Sequence, residues 1–149
     1  MNQAEYFMGE ALKEAERALV FNEVPIGAVI VYKDRIIGRG HNTRESDECA
    51  VSHAEINAIK EASKTLGGWR LTDCDIYVTI EPCPMCCGAI YQSRIRSVKY
   101  GASDYKAGAC GSIFNLFEMK GLNHYAEIES GILEEECKSI LRAFFKNRR

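Results

Sequence analysis

Apolar residues recur every three or four positions at both ends of the chain, the spacing that places side chains on one face of a helix. The N-terminal set predicts an amphipathic helix that ends near Asn22, just before the break at Val24-Pro25. Its members are Phe7, Ala11, Leu12, Ala15, Ala18 and Leu19. A second set predicts a terminal helix, with an apolar stripe of Cys137, Ile140, Leu141, Phe144 and Phe145.

Between these helices lie several short runs rich in β-branched and aromatic residues, which are typical of strands. The runs cover residues 27–32, 36–40, 75–79, 97–100 and 125–129. Lys33-Asp34 predicts a hairpin between the first two. One helix is expected from the His53 segment to about Leu66, where Gly67-Gly68 ends it, and another from Cys83 to near Ser93.

The order of these elements predicts an α/β protein in three αβα layers, with a mixed sheet of about five strands. A strand, a helix and a second strand with a short return favour a parallel pair joined by a right-handed crossover. We expect a single domain over residues 1–149, because the chain has the length of one domain and no internal repeat.

Two short motifs combine the ligands that zinc prefers. His53-Ala54-Glu55 is followed by Pro82-Cys83-Pro84-Met85-Cys86, and Cys-x-x-Cys on a first helical turn directs both sulfurs to one side. His53, Cys83 and Cys86 supply three ligands, so a fourth position stays open for water, as in catalytic zinc sites. Glu55 is then free to move protons beside the metal. Cys-x-x-Cys alone would also suit a redox dithiol or a structural zinc knuckle.

Charge and composition indicate the cellular location and the state of the cysteines. The net charge is −2, no apolar run approaches the ~20 residues that span a membrane, and the first residues lack the pattern of a signal peptide. We therefore expect a cytoplasmic protein with no membrane association. Seven cysteines, an odd number, favour reduced thiols and a metal site over disulfides. Cys87 is turned about 100° from Cys86 on a helix and is a poor ligand.

The overall acidity argues against a nucleic-acid partner, but the charge is unevenly distributed. Residues 138–149 contain five bases and no acid, directly after three glutamates at 134–136. A basic end could bind RNA phosphates. Acids at the start and bases at the end of a helix also complement its dipole without any ligand, so charge alone leaves both interpretations open.

The motifs together resemble the bacterial tRNA adenosine deaminase (TadA) family over nearly the whole chain. The His-x-Glu and Pro-Cys-x-x-Cys pair is the signature of zinc deaminases. Further matching segments are Glu23–Val29, Tyr77–Cys83, Gly101–Asp104, Gly121–His124 and Phe144–Arg149. The resemblance implies a cytidine-deaminase-like fold, one Zn²⁺ per subunit, a homodimer, and hydrolytic deamination of adenosine to inosine at the wobble position of a tRNA anticodon.

The resemblance also implies substrate contacts outside the metal ligands. Asn42 and the backbone of Ala54 are expected to contact the purine, although without the resemblance the position of Asn42 after Gly40-His41 favours a turn residue. The tRNA anticodon stem-loop is expected to contact Asp104, Lys106, Phe145, Arg148 and Arg149. Glu81 is expected to be a structural acid that caps amides at the start of the cysteine helix.

Two other functions compete with this hypothesis. A free nucleobase or nucleoside deaminase, acting on guanine or cytosine, would keep the zinc ligands and need no basic terminal helix. A noncatalytic, zinc-stabilised RNA-binding subunit would lack the catalytic acid, and the presence of Glu55 argues against that alternative.

Overall fold

The computed structural model describes residues 1–148 and confirms the α/β architecture. Arg149, one of the expected RNA contacts, lies outside the described residues. The helices and strands are α1 (Gln3–Val20), β1 (Gly27–Tyr32), β2 (Arg35–His41), α2 (Ala54–Leu66), β3 (Cys74–Ile80), α3 (Pro84–Gln92), β4 (Ser97–Ala102), β5 (Glu127–Glu129) and α4 (Glu134–Lys146), with a 3₁₀ turn at Leu116–Glu118.

The five strands form one mixed sheet in the order β2-β1-β3-β4-β5. Strand β1 is antiparallel to both of its neighbours, whereas β3, β4 and β5 are parallel. Each face of the sheet carries its own buried cluster, and alternate residues of β1 contribute to the two clusters. Ala28 and Ile30 pack with α2 and α3 on one face, and Val29 packs with Phe7 of α1 and Cys137 of α4 on the other.

Several predicted element boundaries differ from the structure. Helix α1 ends at Val20, and Leu19, expected on its buried face, is 40% exposed. Strand β5 begins only at Glu127; Tyr125 precedes it in an irregular segment, where its hydroxyl donates to the Met119 carbonyl. The 3₁₀ turn was not predicted. Lys33 and Asp34 both have positive φ, as expected for a tight hairpin turn.

Glycines let α2 pack directly on β2. A methyl group at Gly40 would overlap the carbonyl oxygen of Ala54 and the amide nitrogen of Ala58, and one at Gly38 would overlap the carbonyl oxygen of Ala58. This close contact fixes the first turn of α2, next to His53, against the sheet. Within residues 1–148, no helix is long and apolar enough to cross a membrane.

Candidate active site

Two helix starts bring the three candidate metal ligands together. His53 is the N-cap of α2, Cys83 is the N-cap of α3, and Cys86 lies in the first turn of α3. The Nδ1 atom of His53 lies 3.7 Å from Sγ of Cys83 and 3.6 Å from Sγ of Cys86. Pro84, rather than Pro82, occupies the first helical position, where a missing N–H leaves no hydrogen bond unmade.

The arrangement of these atoms fits zinc. Tetrahedral coordination with Zn–N of about 2.0 Å and Zn–S of about 2.3 Å sets neighbouring donor atoms about 3.6 Å apart. The three ligand atoms all lie within 4.8 Å of one another. Hydrogen bonds from Cys86 and His53 lower the pKa of the Cys83 thiol to about 4, although partial burial opposes them. The site therefore favours a thiolate, the form in which cysteine binds metals.

Glu55 lies in the first turn of α2 but outside this ligand group. Its side chain is 3% exposed, and burial raises its pKa to about 7. Within residues 1–148, the group with metal-ligating geometry consists of His53, Cys83 and Cys86. A carboxyl group that is buried, titrates near neutrality and is not a ligand is suited to proton transfer.

A cavity of about 190 Å³ opens onto His53, Glu55 and Cys83. It is smaller than the roughly 300–1,000 Å³ of sites for drug-sized ligands, so it suits a single small ring system. Ala54 forms part of its wall. The other lining residues outside the ligand group include apolar side chains and residues of two loops, namely Val24, Ile26, Ile80, Asn42, Arg44 and Asp104.

Asn42 has features both of a turn residue and of a residue that contacts the substrate. Its Oδ1 accepts from the amide of Arg44 (3.1 Å), which is the hydrogen bond of a turn residue. Its Nδ2 donates to the Val24 carbonyl (3.3 Å), and the side chain lines the cavity. The turn therefore holds the amide group at the cavity wall.

Two buried glutamates that are not ligands hold the loops around the cavity. Glu23 accepts from the amides of Glu45 and Ser46 and from the Ser46 hydroxyl, in the loop 42–52. Glu81 accepts from amides of Asp104, Cys110 and Ser112, in the loop 103–112. The prediction that Glu81 caps the cysteine helix is therefore wrong, since its carboxylate bonds to the following loop instead. Glu23 was missed by sequence reasoning, because nothing local identifies its partners.

The expected RNA contacts lie in different positions relative to the cavity. Asp104 lines it, and its Oδ1 accepts from the amides of Lys106 and Ala107. Lys106 is exposed and does not line the cavity. Phe145 is 53% exposed, whereas the neighbouring Phe144 is partly buried.

Phe145 and Arg148 line a second, larger hollow of about 530 Å³. It shares Val24, Asn42 and Arg44 with the first cavity, so the two are adjacent. Arg148 donates to the Asn22 carbonyl (2.8 Å), and its guanidinium lies 4.5 Å from the centre of the Phe144 ring. These contacts hold the end of α4 beside the active-site cavity.

Cys87 is turned away from the metal ligands, as predicted. Its Sγ lies 3.3 Å from Sγ of Cys110 and is buried. Because Cys110 belongs to the loop 103–112, this contact joins the loop to α3. Cys74, Cys110 and Cys137 are also buried, whereas Cys49 is only partly so.

Comparisons with known proteins match this chain to deaminases. A family described as MafB19-like deaminase matches residues 1–149. A tRNA-specific adenosine deaminase of Bacillus subtilis (strain 168) is 50% identical over all of this chain and 92% of its own length. One of Haemophilus influenzae is 45% identical over 97% of this chain and 84% of its own. The chain belongs to the family of tRNA-specific adenosine deaminases.

Solved structures of this and related families share the fold. One, from a study of A-to-I editing by tRNA:A34 deaminases at the wobble position of transfer RNA, has a TM-score of 0.85 and 42% identity, and the match covers 91% of this chain and 99% of that one. A guanine deaminase of Bacillus subtilis is 41% identical with a TM-score of 0.64, but the match covers only 69% of this chain and 66% of that one. The resemblance to the tRNA deaminase is thus the more complete.

Proposed function

We propose that this protein is a zinc-dependent hydrolase that converts adenosine to inosine at the wobble position of a tRNA anticodon. The observation that carries the proposal is the triangle of His53, Cys83 and Cys86 beside a buried carboxylate, Glu55, which is not part of it. Relatives named tRNA-specific adenosine deaminase match the chain along its whole length, which supports the substrate. One deaminase domain over residues 1–149 accounts for that match.

The metal ligands are His53, Cys83 and Cys86. Zinc bound there lowers the pKa of water and so provides a nucleophile at neutral pH. The chain contributes the geometry: two helix starts hold one nitrogen and two sulfurs at tetrahedral spacing. The positive ends of the helix dipoles favour the thiolates.

Glu55 is the proton carrier. Its carboxylate accepts a proton from the attacking water and passes it to the adenine ring nitrogen N1. It then takes the second proton from the same oxygen, now bonded to C6, and delivers it to the amine as the C6–N bond breaks. Adenosine and water thereby give inosine and ammonia. A pKa of about 7 suits both directions of transfer, since the group can accept and return a proton at neutral pH.

The base is held by other residues that line the cavity. The Asn42 side chain lines the cavity, and one of its amide hydrogens is engaged by Val24, which leaves the second to reach a purine acceptor. The backbone of Ala54 borders the same space. The apolar side chains of Ile26 and Ile80 provide surfaces against which a flipped base can pack.

The anticodon stem-loop binds around the cavity mouth. Asp104 lies at the cavity, Lys106 is exposed on the same loop, and Phe145 and Arg148 line the adjoining hollow. An exposed aromatic ring beside an arginine offers a stacking surface and a phosphate contact to unpaired nucleotides. Arg149, the next residue, adds another positive charge.

The protein is further proposed to act as a homodimer in the cytoplasm. A shallow, mainly apolar surface between α2 and α3 supports self-association, because Trp69 is 53% exposed there beside Ile59 and Ala89. The likeness to tRNA-specific adenosine deaminases supports the cytoplasm, and the basic residues 138–149 in an otherwise acidic chain are consistent with a tRNA partner.

The partial match to a guanine deaminase favours one alternative, a free-base deaminase with the same zinc chemistry. The test is inosine formation from adenosine in a synthetic anticodon stem-loop, measured beside free adenosine, guanine and cytidine. We expect conversion of the stem-loop alone. An inert stem-loop with turnover of guanine or cytidine would contradict the proposed substrate. It would not contradict the assignment of the zinc site.

A further inference from the structure

We propose that Glu81 is a positioning residue for the RNA substrate, which holds the loop 103–112 as a wall of the active-site cavity. The inference rests on the proposed function. Glu81 lines the cavity together with Asp104 and Ala107 of that loop. It therefore connects the strand that leads to the cysteines with the loop expected to contact RNA.

The Glu81 carboxylate accepts four hydrogen bonds, all from the loop. Oε1 accepts from the amide of Asp104 (3.1 Å) and from the Ser112 hydroxyl. Oε2 accepts from the amides of Cys110 (3.0 Å) and Ser112 (3.0 Å). One carboxylate thus bonds to both ends of the loop, so its replacement would remove contacts at both ends at once.

The surroundings of Glu81 are built for a charged carboxylate. The side chain is 2% exposed, and each of its hydrogen bonds comes from an N–H or O–H donor, so both oxygens act as acceptors, as in a charged carboxylate. A methyl group at Gly108 would overlap the carboxyl group, so glycine is needed at that position for the loop to close on it. The loop then presents Asp104 to the cavity.

The loop also contacts the metal-binding helix, which offers a competing explanation. The amide of Ala109 donates to the Pro82 carbonyl (2.9 Å), and Cys110 contacts Cys87. Loss of Glu81 could therefore act through Cys83 and Cys86 instead of through RNA. Metal content and the separation of KM from kcat distinguish the two explanations.

The experiment compares Glu81→Gln with Asp75→Asn. Glutamine keeps the shape of the side chain, but its NH₂ group cannot accept from backbone amides. Asp75 likewise bonds a neighbouring serine, Ser97, and an arginine, Arg96, but at the start of β3, away from the cavity. Ser112→Ala is a milder variant that removes one of the four hydrogen bonds.

We expect Glu81→Gln to raise KM for the stem-loop about tenfold, the loss of about 1.4 kcal/mol of binding, with kcat within about threefold and zinc unchanged. Ser112→Ala should raise KM less, and Asp75→Asn should leave it unchanged. Amide hydrogen exchange at Asp104, Cys110 and Ser112 should accelerate in Glu81→Gln.

Three results distinguish a failure of this inference from a failure of the proposed function. An unchanged KM in both Glu81→Gln and Ser112→Ala would overturn the inference. A fall in kcat with loss of zinc would also overturn it, because Glu81 would then act through the metal helix. Wild-type protein that does not convert the stem-loop would instead refute the proposed function. The exchange measurement still reports whether Glu81 holds the loop.

Discussion

The metal corner and the cavity rim are built in different ways. The metal corner comprises His53, Glu55, Cys83 and Cys86, and each of these residues lies at the start of a helix, as its N-cap or in its first turn. The rim comprises the loops 42–52 and 103–112, which have no regular helix or strand to fix them. In each loop, several backbone amides instead donate to one buried carboxylate from elsewhere in the chain, Glu23 or Glu81.

Because of this difference, catalysis depends on the metal corner, whereas substrate recognition depends on the rim. Helix starts and close glycine packing make the metal corner rigid, as proton transfer and metal binding require. The rim depends on a few buried hydrogen bonds, so single changes there can alter substrate binding while the metal ligands stay in place. Substitutions in the two regions should therefore give different kinetic signatures.

The largest effect is expected at the metal corner. Cys86→Ala removes one of three protein ligands, so zinc content should fall well below one per chain and deaminase activity should be lost. Metal analysis and inosine formation measure both quantities. Cys137→Ala, a buried cysteine on the other face of the sheet, is the matched control and should keep full zinc. Normal zinc content in Cys86→Ala would contradict the assigned ligands.

The next prediction tests the close packing of α2 against β2. Gly40→Ala should lower the free energy of unfolding by about 1–3 kcal/mol, because the new methyl group overlaps the backbone of α2. Gly9→Ala is the control, since nothing lies within 4 Å of a methyl group there, and it should stabilise α1 by about 0.5–1 kcal/mol. Denaturant unfolding measures both. Equal effects at the two glycines would refute the close packing.

The loop 42–52 should respond to Glu23→Gln. The amide cannot accept both backbone N–H groups of Glu45 and Ser46, so we expect a loss of about 1–3 kcal/mol of stability at neutral pH. KM for the stem-loop should rise, because Asn42 and Arg44 belong to this loop. Zinc content should not change. Zinc loss in this variant would show that rim and metal corner are not independent.

The same glutamate gives a pH dependence of stability. Burial acts to raise the pKa of Glu23, but hydrogen bonds from Ser46 and Glu45 outweigh it and leave the pKa below its ordinary value of 4.5. A depressed folded-state pKa gives stability that is present above pH 4.5 and is lost as the pH falls through the folded value. The wild type should therefore lose more stability than Glu23→Gln on acidification. Equal losses of stability in the two proteins on acidification would contradict this role of Glu23.

The smallest effect is expected at an exposed charge of the rim. Lys106→Ala should weaken stem-loop binding a few-fold and reduce the slope of log K against log salt by about 1, as for one lost phosphate contact. Lys64→Ala, at the far end of α2, is the control and should leave the slope unchanged. Binding titrations at several salt concentrations measure the slope for the wild type and for both variants. An identical slope in all three proteins would exclude a phosphate contact at Lys106.

The sequence predicted the metal corner far better than the rim, for a physical reason. His53-x-Glu55 and Cys83-x-x-Cys86 are local spacings, and a helix converts them directly into neighbouring side chains. The sheet was predictable for a similar reason, because strands such as Gly27–Tyr32 are continuous apolar runs.

The rim depends on contacts between distant segments. Glu81 bonds residues 23–31 positions later, and Glu23 bonds residues 22–23 positions later, so no local pattern reveals their partners. Glu81 was therefore assigned to the adjacent helix, which was wrong. Similarly, the exposure of Phe145 rather than Phe144 follows from how α4 packs, and the apolar stripe of that helix does not contain this information.

The most direct test of the account is the rate of inosine formation by Glu55→Gln under single-turnover conditions, with zinc content measured on the same sample. We predict a rate about 10²–10⁴-fold below wild type with zinc fully retained, since glutamine keeps the size of the side chain but cannot carry the proton. A near-normal rate with zinc bound would contradict the role of Glu55 as proton carrier. A slow rate caused by zinc loss would place Glu55 among the metal ligands instead.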